Sequence, residues 1–405
     1  MEIELLDETR LRYWTSRLAF PLPAVDELAD IARIVRGEVE LYRLFEDFHL
    51  QTAVRGEWHR EWSDLPFAPL VERRFGERAS LFYLLAYLAA LPYTWLRYKH
   101  LGISERIFDD TLQDITVKLI DEYELHGKWR FKLFQWIWLH LDCQLFRLGR
   151  LQYILRQFQG LTTAYRRRSQ GEQLPKVNYL LLADPTLPLR SDGYALGSGG
   201  DHEAESQAGD AWYARFESSA AGWFGNPVSP YGFVLREPVF LSRADWELAL
   251  QQGDWVLDLH IPRSGAFTVE ACRESLHQAF EFFPRIWHDR PFKACFCHTW
   301  FFTPQLQRLL SPDSNIVRFQ REFYLYPPYP GSLRFLWEFV FGERYPDRAT
   351  APRDNRLRKA VLEWLDQGGE IFDLAGMMFH GPDEWGSQPY MSAWDAGADQ
   401  PRFIG

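Results

Sequence analysis

The spacing of hydrophobic positions divides the chain into a helical first part and a mixed second part. Up to about residue 145, apolar residues recur at intervals of three and four, which is typical of amphipathic helices. The clearest helix follows Ser104, a good N-cap residue, and carries one continuous apolar stripe. The predicted helices lie near residues 7–19, 24–36, 38–50, 79–98 and 104–124.

Some polar residues inside these helices allow more than one interpretation. Asp110 and Asp114, one turn apart, can form an acid/base or metal-binding pair, but a solvated helix face is the expected explanation. His140 lies in the apolar segment 131–145, where we expect a hydrogen-bonded core histidine.

Alternation of apolar and polar residues predicts strands in the second part. Residues 145–158 are predicted to form one strand, which places Arg150 and Gln152 together on its polar side. These are candidate substrate residues in an acceptor cleft, and an exposed sheet face explains them equally well. We place the domain boundary before this strand, giving a helical domain at 1–144, a second domain at 145–380 and a polar tail at 381–405. The other predicted elements are a mobile loop at about 185–210, a helix at 243–251, a strand at 316–325, and helices at 332–341 and 355–367.

The stretch from Trp255 to Trp300 has the pattern of a strand, a loop, a helix and a second strand. An apolar run with β-branched residues ends at Pro262, and Thr268 is an N-cap residue ahead of an apolar helical face. Residues 294–298 then form another apolar run. A strand reached through a crossover helix is normally parallel to the first, so the unit is a βαβ.

The loop of this unit, residues 263–268, leads into the start of its helix. Backbone N–H groups and the positive end of a helix dipole converge there, which favours a phosphate-bearing ligand. A purely structural βαβ is the alternative.

Composition narrows the class of protein. The 405 residues carry 45 basic and 55 acidic side chains, a formal net charge of −10 that argues against nucleic-acid binding. The four cysteines form neither a secreted disulfide framework nor a metal site, so we expect reduced core residues in a cytoplasmic protein. The acidic start lacks the pattern of a secretory signal, and residues 79–96 are expected to be a buried helix rather than a membrane span.

Several catalytic motifs are missing from the sequence. It contains no GxxxxGK[ST], HExxH or GxSxG, and no GxGxxG after a strand. The pattern by itself supports an α+β protein.

Longer stretches of the sequence are more informative than these short motifs. They are GISERIFDDTLQDI (102–115), LFRLGRLQYI (145–154), GDWVLDLHIPRSG (253–265), ACRESLHQAFEFF (271–283), CHTWFFTPQL (297–306) and SNIVRFQREF (314–323). Together they resemble bacterial acyltransferase-like proteins, which pair a helical N-acyltransferase N-terminal domain with a GNAT-like C-terminal domain. The resemblance covers roughly residues 30–378, and LGRLQ, LHIP and SNI are its more specific points.

The resemblance implies a helical N-terminal domain, a GNAT-like mixed sheet with flanking helices, an acyl-coenzyme A co-substrate without a metal, and transfer of the acyl group to an acceptor, commonly an amine. In such folds the pantetheine lies beside a strand and the pyrophosphate on the following loop. The implied cofactor-binding residues are Leu259, Ile261, Arg263, Ser264, Gly265, Ala266, Phe267 and Thr268. The family loop is [Q/R]-x-x-G-x-[G/A], whereas this loop is one residue tighter with a single glycine, so fewer N–H groups can converge on a pyrophosphate.

Candidate catalytic residues follow from the predicted strands. Alternation places Asp258 and His260 on one face, close enough for the carboxylate to influence the imidazole. His260 is therefore the first candidate for general base, and a packed core histidine is the alternative. His298 and Glu322, on the predicted neighbouring strands, are reserve bases, and Asp258 and Trp300 are candidate substrate contacts.

Two functions remain open at this point. The first is an acyl-coenzyme A-dependent N-acyltransferase with a small-molecule or peptide acceptor. The second is a catalytically silent GNAT-like module that binds an acyl carrier or a protein partner. Ionisable groups on the cleft side of the strands favour the enzyme, and an apolar cleft favours the binding module.

Overall fold

The chain folds into two compact units. The structure is a computed structural model that describes residues 3–54, 66–168, 179–196, 211–328, 336–342 and 347–395. Unit 1 comprises Met1–Ile154 and Ile261–Ala266, and unit 2 comprises Leu155–His260 and Phe267–Gly405. This division assigns residues 145–154 to the helical unit, whereas the predicted boundary assigned them to the second domain.

Unit 1 is mainly helical, as predicted. Its helices are α1 (Glu8–Arg17), α2 (Leu22–Gly37), α3 (Val39–His49), α4 (Ala68–Phe75), α5 (Ala79–Leu88), α6 (Leu91–His100), α7 (Glu105–His126) and α8 (Phe134–Leu141). Every residue of α5 except Ser80 is buried. The stretch Ala68–His100 is long and apolar enough to cross a membrane by length and composition, but 72% of its most apolar window is buried in the protein. This burial is typical of a core helix.

The ends of α7 follow from local chemistry. The Ser104 side chain accepts a hydrogen bond from the backbone N–H of Ile107, which satisfies one of the free donors of the first turn. Gly127 follows the last residue with a φ of 70°, a conformation that glycine adopts without strain. The predicted N-cap is confirmed.

Asp114 belongs to a buried polar cluster rather than to the predicted solvated face. Its side chain is only 1% exposed, because α8 covers this side of α7. The indole N–H of Trp136 donates to Oδ2 at 2.6 Å, and Nε2 of His140 lies 3.5 Å from the same oxygen. His140 Nδ1 donates to the Trp136 carbonyl at 2.7 Å, so the predicted hydrogen-bonded core histidine is confirmed.

This cluster controls the charge of Asp114. Burial alone raises the pKa of Asp114, but the hydrogen bond and the positive charge of His140 outweigh burial, so the pKa lies below its ordinary value. A carboxyl group with a lower pKa in the folded state stabilises the fold fully above its unfolded pKa. The stabilisation is lost as pH falls from there towards the folded pKa.

We expect Asp114→Ala to lower the free energy of unfolding by about 1–3 kcal/mol at neutral pH, because it removes the carboxylate that accepts from the partly buried Trp136 indole and faces the buried His140. Below about pH 4 the variant should lose stability less steeply than the parent. Urea denaturation across pH measures both effects. Asp110→Ala, one turn away, is the matched control: its half-exposed carboxylate pairs with Arg106 at the surface, and its loss should change stability by no more than about 0.5 kcal/mol. Equal effects of the two substitutions would contradict this assignment.

The segment predicted as one strand at 145–158 is a hairpin. Strands β1 (Leu145–Leu148) and β2 (Leu151–Gln157) are antiparallel, and Arg147 pairs with Gln152. Gly149 has a φ of 69° in the turn between them. Arg150 therefore lies in this turn, and the prediction that it alternates with Gln152 along a single strand is wrong.

Unit 2 is built on mixed sheets. The remaining strands are β3 (Thr163–Arg167), β4 (Tyr179–Leu182), β5 (Pro188–Leu189), β6 (Trp212–Tyr213), β7 (Phe216–Ser218), β8 (Gly222–Gly225), β9 (Pro227–Val228), β10 (Val239–Ser242), β11 (Trp246–Leu250), β12 (Trp255–His260), β13 (Ala294–His298), β14 (Tyr324–Tyr326) and β15 (Ala375–Met378). Its helices are α9 (Val269–Ile286), α10 (Leu306–Leu309), α11 (Asn315–Gln320), α12 (Arg356–Asp366) and α13 (Pro389–Asp395).

The predicted βαβ is confirmed and forms the centre of unit 2. Strands β12 and β13 are parallel and are joined through α9, whose N-cap Thr268 accepts a hydrogen bond from the N–H of Ala271. The main sheet of this unit continues from the last part of β2 through β12, β13, β15 and β14. One of its faces packs on the sheet of order β11-β3-β4-β9 around a shared apolar core that includes Val256 and Met377.

Two secondary-structure predictions in unit 2 are wrong. The predicted helix at 243–251 is instead a turn followed by strand β11 (Trp246–Leu250), which pairs with β3 and packs apolar side chains on the core beside that strand. The alternating segment 316–325 begins as helix α11, capped by Ser314, and only Tyr324–Tyr326 are extended. Alternation in this short segment therefore did not indicate a strand.

The remaining predictions concern the ends and loops of unit 2. The predicted polar tail folds as far as residue 395, with a short 3₁₀ helix at Pro382–Glu384 and helix α13, whose Tyr390 and Met391 are buried. Of the predicted loop at 185–210, residues 197–210 lie outside the described residues. Helix α12 confirms the prediction at 355–367, and the predicted helix at 332–341 is described only from residue 336, with a π-helical turn at Trp337–Phe341.

Gly376 in β15 allows the sheet to pack closely. A Cβ atom there would lie 2.8 Å from Cε2 of Phe302 and 2.9 Å from Cβ of Phe323, both fully buried. We expect Gly376→Ala to cost about 1–3 kcal/mol of stability, because the rings must move. Gly381→Ala is the control, since no heavy atom lies within 4 Å of its Cβ position. Thermal unfolding of both variants measures the difference, and a stable Gly376→Ala would contradict the proposed crowding.

Candidate active site

The candidate site of unit 2 lies at the carboxyl ends of β12 and β13. The parallel register pairs Val256 with Ala294 and continues to Asp258 with Phe296, and both strands extend two residues beyond that pair. Because side chains alternate along a strand, His260 and His298 lie on the same face of the sheet as Asp258. Two imidazoles therefore stand at the ends of adjacent strands.

The first imidazole shares its carboxylate with an arginine. His260 Nε2 lies 3.3 Å from Asp258 Oδ2, so the predicted proximity of the two side chains is present. Arg156 Nη2 lies 2.9 Å from the same oxygen, and its guanidinium stacks 5.3 Å above the Phe296 ring. Asp258 is buried, while about a third of the His260 side chain is exposed. The charge of this carboxylate is thus divided between a permanent cation and the histidine.

The second imidazole contacts both oxygens of a carboxylate. His298 Nε2 lies 2.9 Å and 3.0 Å from the two carboxylate oxygens of Asp373. The antiparallel register pairs His298 with Ala375, which brings Asp373, two residues earlier, beside the end of β13. Asp373 is 3% exposed, whereas a quarter of the His298 side chain faces outward. A buried carboxylate therefore fixes the orientation of a partly exposed histidine.

Glu322 lies in a different environment from the one predicted. It follows α11 instead of occupying a strand, and it is 1% exposed. Its Oε2 lies 3.1 Å from Nε2 of His380, whose Nδ1 lies 3.1 Å from the hydroxyl of Tyr390. This buried network joins α13 to the sheet. It gives Glu322 a structural contact, and a role as reserve base stays a prediction.

Trp300 is half-buried in a short 3₁₀ helix, Trp300–Phe302, directly after β13. Its ring packs edge-on against Phe301, and Gln320 holds this loop by donating to the carbonyls of Phe301 and Thr303. Trp300 is therefore placed on a well-supported loop at the carboxyl end of the strand, and its contact with substrate stays a prediction.

The loop at 263–266, in unit 1, is surrounded by arginines. Arg147 Nη1 donates to the Ser264 hydroxyl at 2.9 Å, and Arg150 Nη1 donates to the Pro262 carbonyl at 2.9 Å. Gly265 has a φ of 90°, and a Cβ atom on it would lie 3.8 Å from Arg147 Nη2 and 3.9 Å from Arg150 Cδ. Arg263 pairs with Asp121. The loop thus combines a glycine turn with three guanidinium groups.

The flanking cofactor candidates have mainly structural contacts. Leu259 is 1% exposed in β12, and Ile261 and Ala266 flank the arginine-lined turn. In unit 2, Phe267 packs against the rings of Phe301 and Phe319, and Thr268 caps α9. Gln152 is 1% exposed in the hairpin. None of these contacts tests a role in binding.

Sequence comparison identifies the family. A model of the GNAT-like C-terminal domain matches residues 145–378, more than half of the chain, and a model of the N-acyltransferase N-terminal domain matches residues 9–143. The chain belongs to the GNAT-like C-terminal domain family. The family and the α+β fold predicted from the sequence are therefore confirmed. Among curated proteins, none matches the sequence.

Solved structures share the fold of this GNAT-like protein. An acyltransferase in complex with decanoyl-CoA is 20% identical, with 92% of this chain and 88% of that chain covered and a TM-score of 0.59. An acyltransferase in complex with CoA and 10C-teicoplanin is 20% identical, with 91% and 87% covered and a TM-score of 0.57. An acyltransferase mutant in complex with octanoyl-CoA is 20% identical, with 91% and 87% covered and a TM-score of 0.57. At this identity the likeness establishes the fold.

Three residues in the candidate sites of the GNAT-like protein were not predicted from the sequence. Asp373 is an aspartate within an apolar run, Ile371 to Leu374, and such a residue signals a buried, paired carboxylate. Arg156 stood on the polar side of its predicted strand but had no visible partner. No pattern in the sequence marked Arg147, because its contact with Ser264 joins residues 117 positions apart.

Proposed function

We propose that this protein is an acyl-coenzyme A-dependent N-acyltransferase that acylates the amine of a small-molecule acceptor. The observation that carries the proposal is the His298–Asp373 pair, a partly exposed imidazole on a buried carboxylate at the carboxyl end of a central strand. Family membership and the fold shared with acyltransferases support the same reaction. Ionisable groups on this face of the sheet favour an enzyme over a silent binding module.

The arginine-lined loop is proposed to bind the coenzyme A phosphates. A loop with a single glycine offers few N–H donors, but Arg147, Arg150 and Arg263 add charged donors around it. Hydrogen bonds from a guanidinium to a phosphate are roughly twice as strong as neutral ones. Gly265 leaves open the space that a side chain would fill. This assigns Arg150 to the cofactor rather than to the acceptor.

The acceptor amine must lose a proton near neutral pH before it attacks the thioester carbonyl. In the proposed reaction His298 accepts one proton from the ammonium, and the neutral amine attacks the thioester carbonyl. The C–S bond then breaks as the amide forms, and the thiolate takes the second proton from the amine nitrogen, so that coenzyme A leaves as its thiol. Asp373 holds the ring and stabilises the imidazolium that forms. A thiolate is a good leaving group and needs little acid assistance.

We place His298 ahead of His260, the first candidate from the sequence, for two reasons. Asp258 is already neutralised by Arg156, so its carboxylate stabilises an imidazolium less. Asp373 directs both oxygens at His298. His260, with Asp258 beside it, is proposed to contact the acceptor.

The phosphate assignment predicts an effect that depends on the ligand. We expect Arg147→Gln to weaken binding of decanoyl-CoA by about tenfold, since a charge-assisted hydrogen bond contributes about 1.5–3 kcal/mol. Binding of S-decanoyl-pantetheine, which lacks the nucleotide phosphates, should be unchanged. Isothermal titration calorimetry measures both ligands. Arg36→Gln, an exposed arginine on α2, removes the same charge elsewhere and serves as the control. Unaltered decanoyl-CoA affinity in Arg147→Gln would refute this assignment.

The base assignment predicts a difference between the two histidines. We expect His298→Ala to lower kcat by about a hundredfold to ten-thousandfold, as for loss of a positioned general base. Release of the coenzyme A thiol from decanoyl-CoA in the presence of a panel of amines measures turnover. His288→Ala, an exposed histidine, should keep full activity. A large loss in His260→Ala together with a loss of only a few-fold in His298→Ala would return the role of base to His260.

A further inference from the structure

A cavity in unit 2 is separate from the candidate site at the strand ends. It has a volume of about 610 Å³ and is bordered by the start of α10, helix α11 and the turn before α13. Its polar lining side chains are Gln307, Asp313, Arg318, Arg321 and Gln388, and Pro312 and Val317 complete the lining. Neither the family match nor the proposed acyl transfer assigns it a role.

Arg321 is held rigidly at the wall of this cavity. Its Nε donates to the side-chain oxygen of Gln388 at 2.8 Å, and its Nη1 donates to that of Gln307 at 3.1 Å. Its Nη2 lies 3.3 Å from a carboxylate oxygen of Asp395. A guanidinium has five N–H donors, so these three contacts fix its plane and leave donors for a ligand.

Arg318 carries the charge that is not compensated. In the part of the chain that the structure describes, its side chain makes no ion pair or hydrogen bond. It lies three residues before Arg321, so both guanidinium groups project from one side of α11 into the same cavity. The lining holds one acidic residue, Asp313, against these two cations. Asp395 pairs with Arg321 in addition, so Arg318 is the cation that a bound anion would neutralise.

One amide of the lining adds donors for a ligand. Gln307 and Gln388 both accept from Arg321 through their side-chain oxygens, but the NH₂ of Gln307 donates to Met391 Sδ at 3.3 Å. The NH₂ of Gln388 points away from Arg321, because its oxygen faces the guanidinium. Gln388 has a φ of 51°, which is uncommon for a residue other than glycine. This backbone conformation places the Gln388 amide beside Arg321.

The cavity is distinct from the start of α9. Asn315 donates from Nδ2 to the carbonyl of Phe267 at 2.6 Å, and Phe319 packs against the Phe267 ring. At 100° per residue Arg321 lies about 120° and about 160° from these two positions, and Arg318 lies about 60° and about 100° from them. The Arg321 wall of the cavity therefore lies on a different side of the helix from the contacts with Phe267.

We propose that this cavity is a binding site for a small anion-bearing molecule, recognised through a carboxylate or a phosphate by Arg318 and Arg321. Both groups offer the several acceptor oxygens that guanidinium and amide donors require. The proposal goes beyond acyl transfer and does not depend on it. Its ligand binds with or without acyl-coenzyme A present.

The test is calorimetric titration of the full chain, saturated with decanoyl-CoA, with inorganic phosphate and separately with succinate at constant ionic strength. Saturable binding of either probe is expected, and the probe that binds tighter identifies the anionic group. Arg318→Gln should weaken that probe at least about tenfold, which is about 1.4 kcal/mol. Arg318→Lys should retain part of the affinity, and Arg36→Gln should match the parent.

Gln388→Glu provides an independent variant, because the new carboxylate pairs with Arg321 and should exclude the anion. Its fold is checked by thermal unfolding. Either of two results would overturn the proposal: no saturable binding by the parent, or equal binding by the parent, Arg318→Gln and Gln388→Glu. The arginines would then serve only as structural contacts at the end of α11. Loss of binding in Arg36→Gln as well would also overturn it, since the effect would then be one of net charge.

Discussion

Parallel pairing of β12 with β13 is the constraint on which the candidate chemistry of unit 2 depends. The pairing requires a crossover, which α9 supplies, and it sets the carboxyl ends of both strands at one edge. The ladder runs through the pair of Asp258 and Phe296, and each strand then continues to a histidine. The alternation of the strands puts both imidazoles on one face. A shift of either strand by one residue would move its histidine to the opposite face of the sheet.

Two buried carboxylates at that edge give the two histidines different electrostatic environments. An ionised carboxylate in an apolar environment requires a cationic or hydrogen-bonding partner, and each aspartate here has a histidine beside it. Asp258 has Arg156 as well, so its charge is compensated whatever the state of His260. Asp373 binds its histidine with both oxygens. Two similar pairs on neighbouring strands are thereby given different electrostatic roles.

The arginine-lined loop differs from the family pattern in the donors that it presents. The loop has a single glycine and is tighter than the family pattern, which reduces the number of backbone donors. Side chains from the β1–β2 hairpin, Arg147 and Arg150, contact the loop through Ser264 and Pro262. Guanidinium donors are charged and permanently protonated, so each can bind an anion more strongly than a neutral backbone N–H group. In the proposed coenzyme A site, these side chains take the place of backbone donors.

Local signals in the sequence determined most helices of unit 1, the βαβ at the centre of unit 2 and the proximity of Asp258 to His260, because capping, helical period and strand alternation act over a few residues. They missed the turn at 89–90 that divides the predicted helix at 79–98 into α5 and α6. The same signals failed at 316–325, where a cap at Ser314 and tertiary packing produced a helix from an alternating pattern. Only the tertiary structure decided which side chains meet. Asp373 reaches His298 across 75 positions and Arg147 reaches Ser264 across 117, and no periodicity within a segment encodes contacts at such distances.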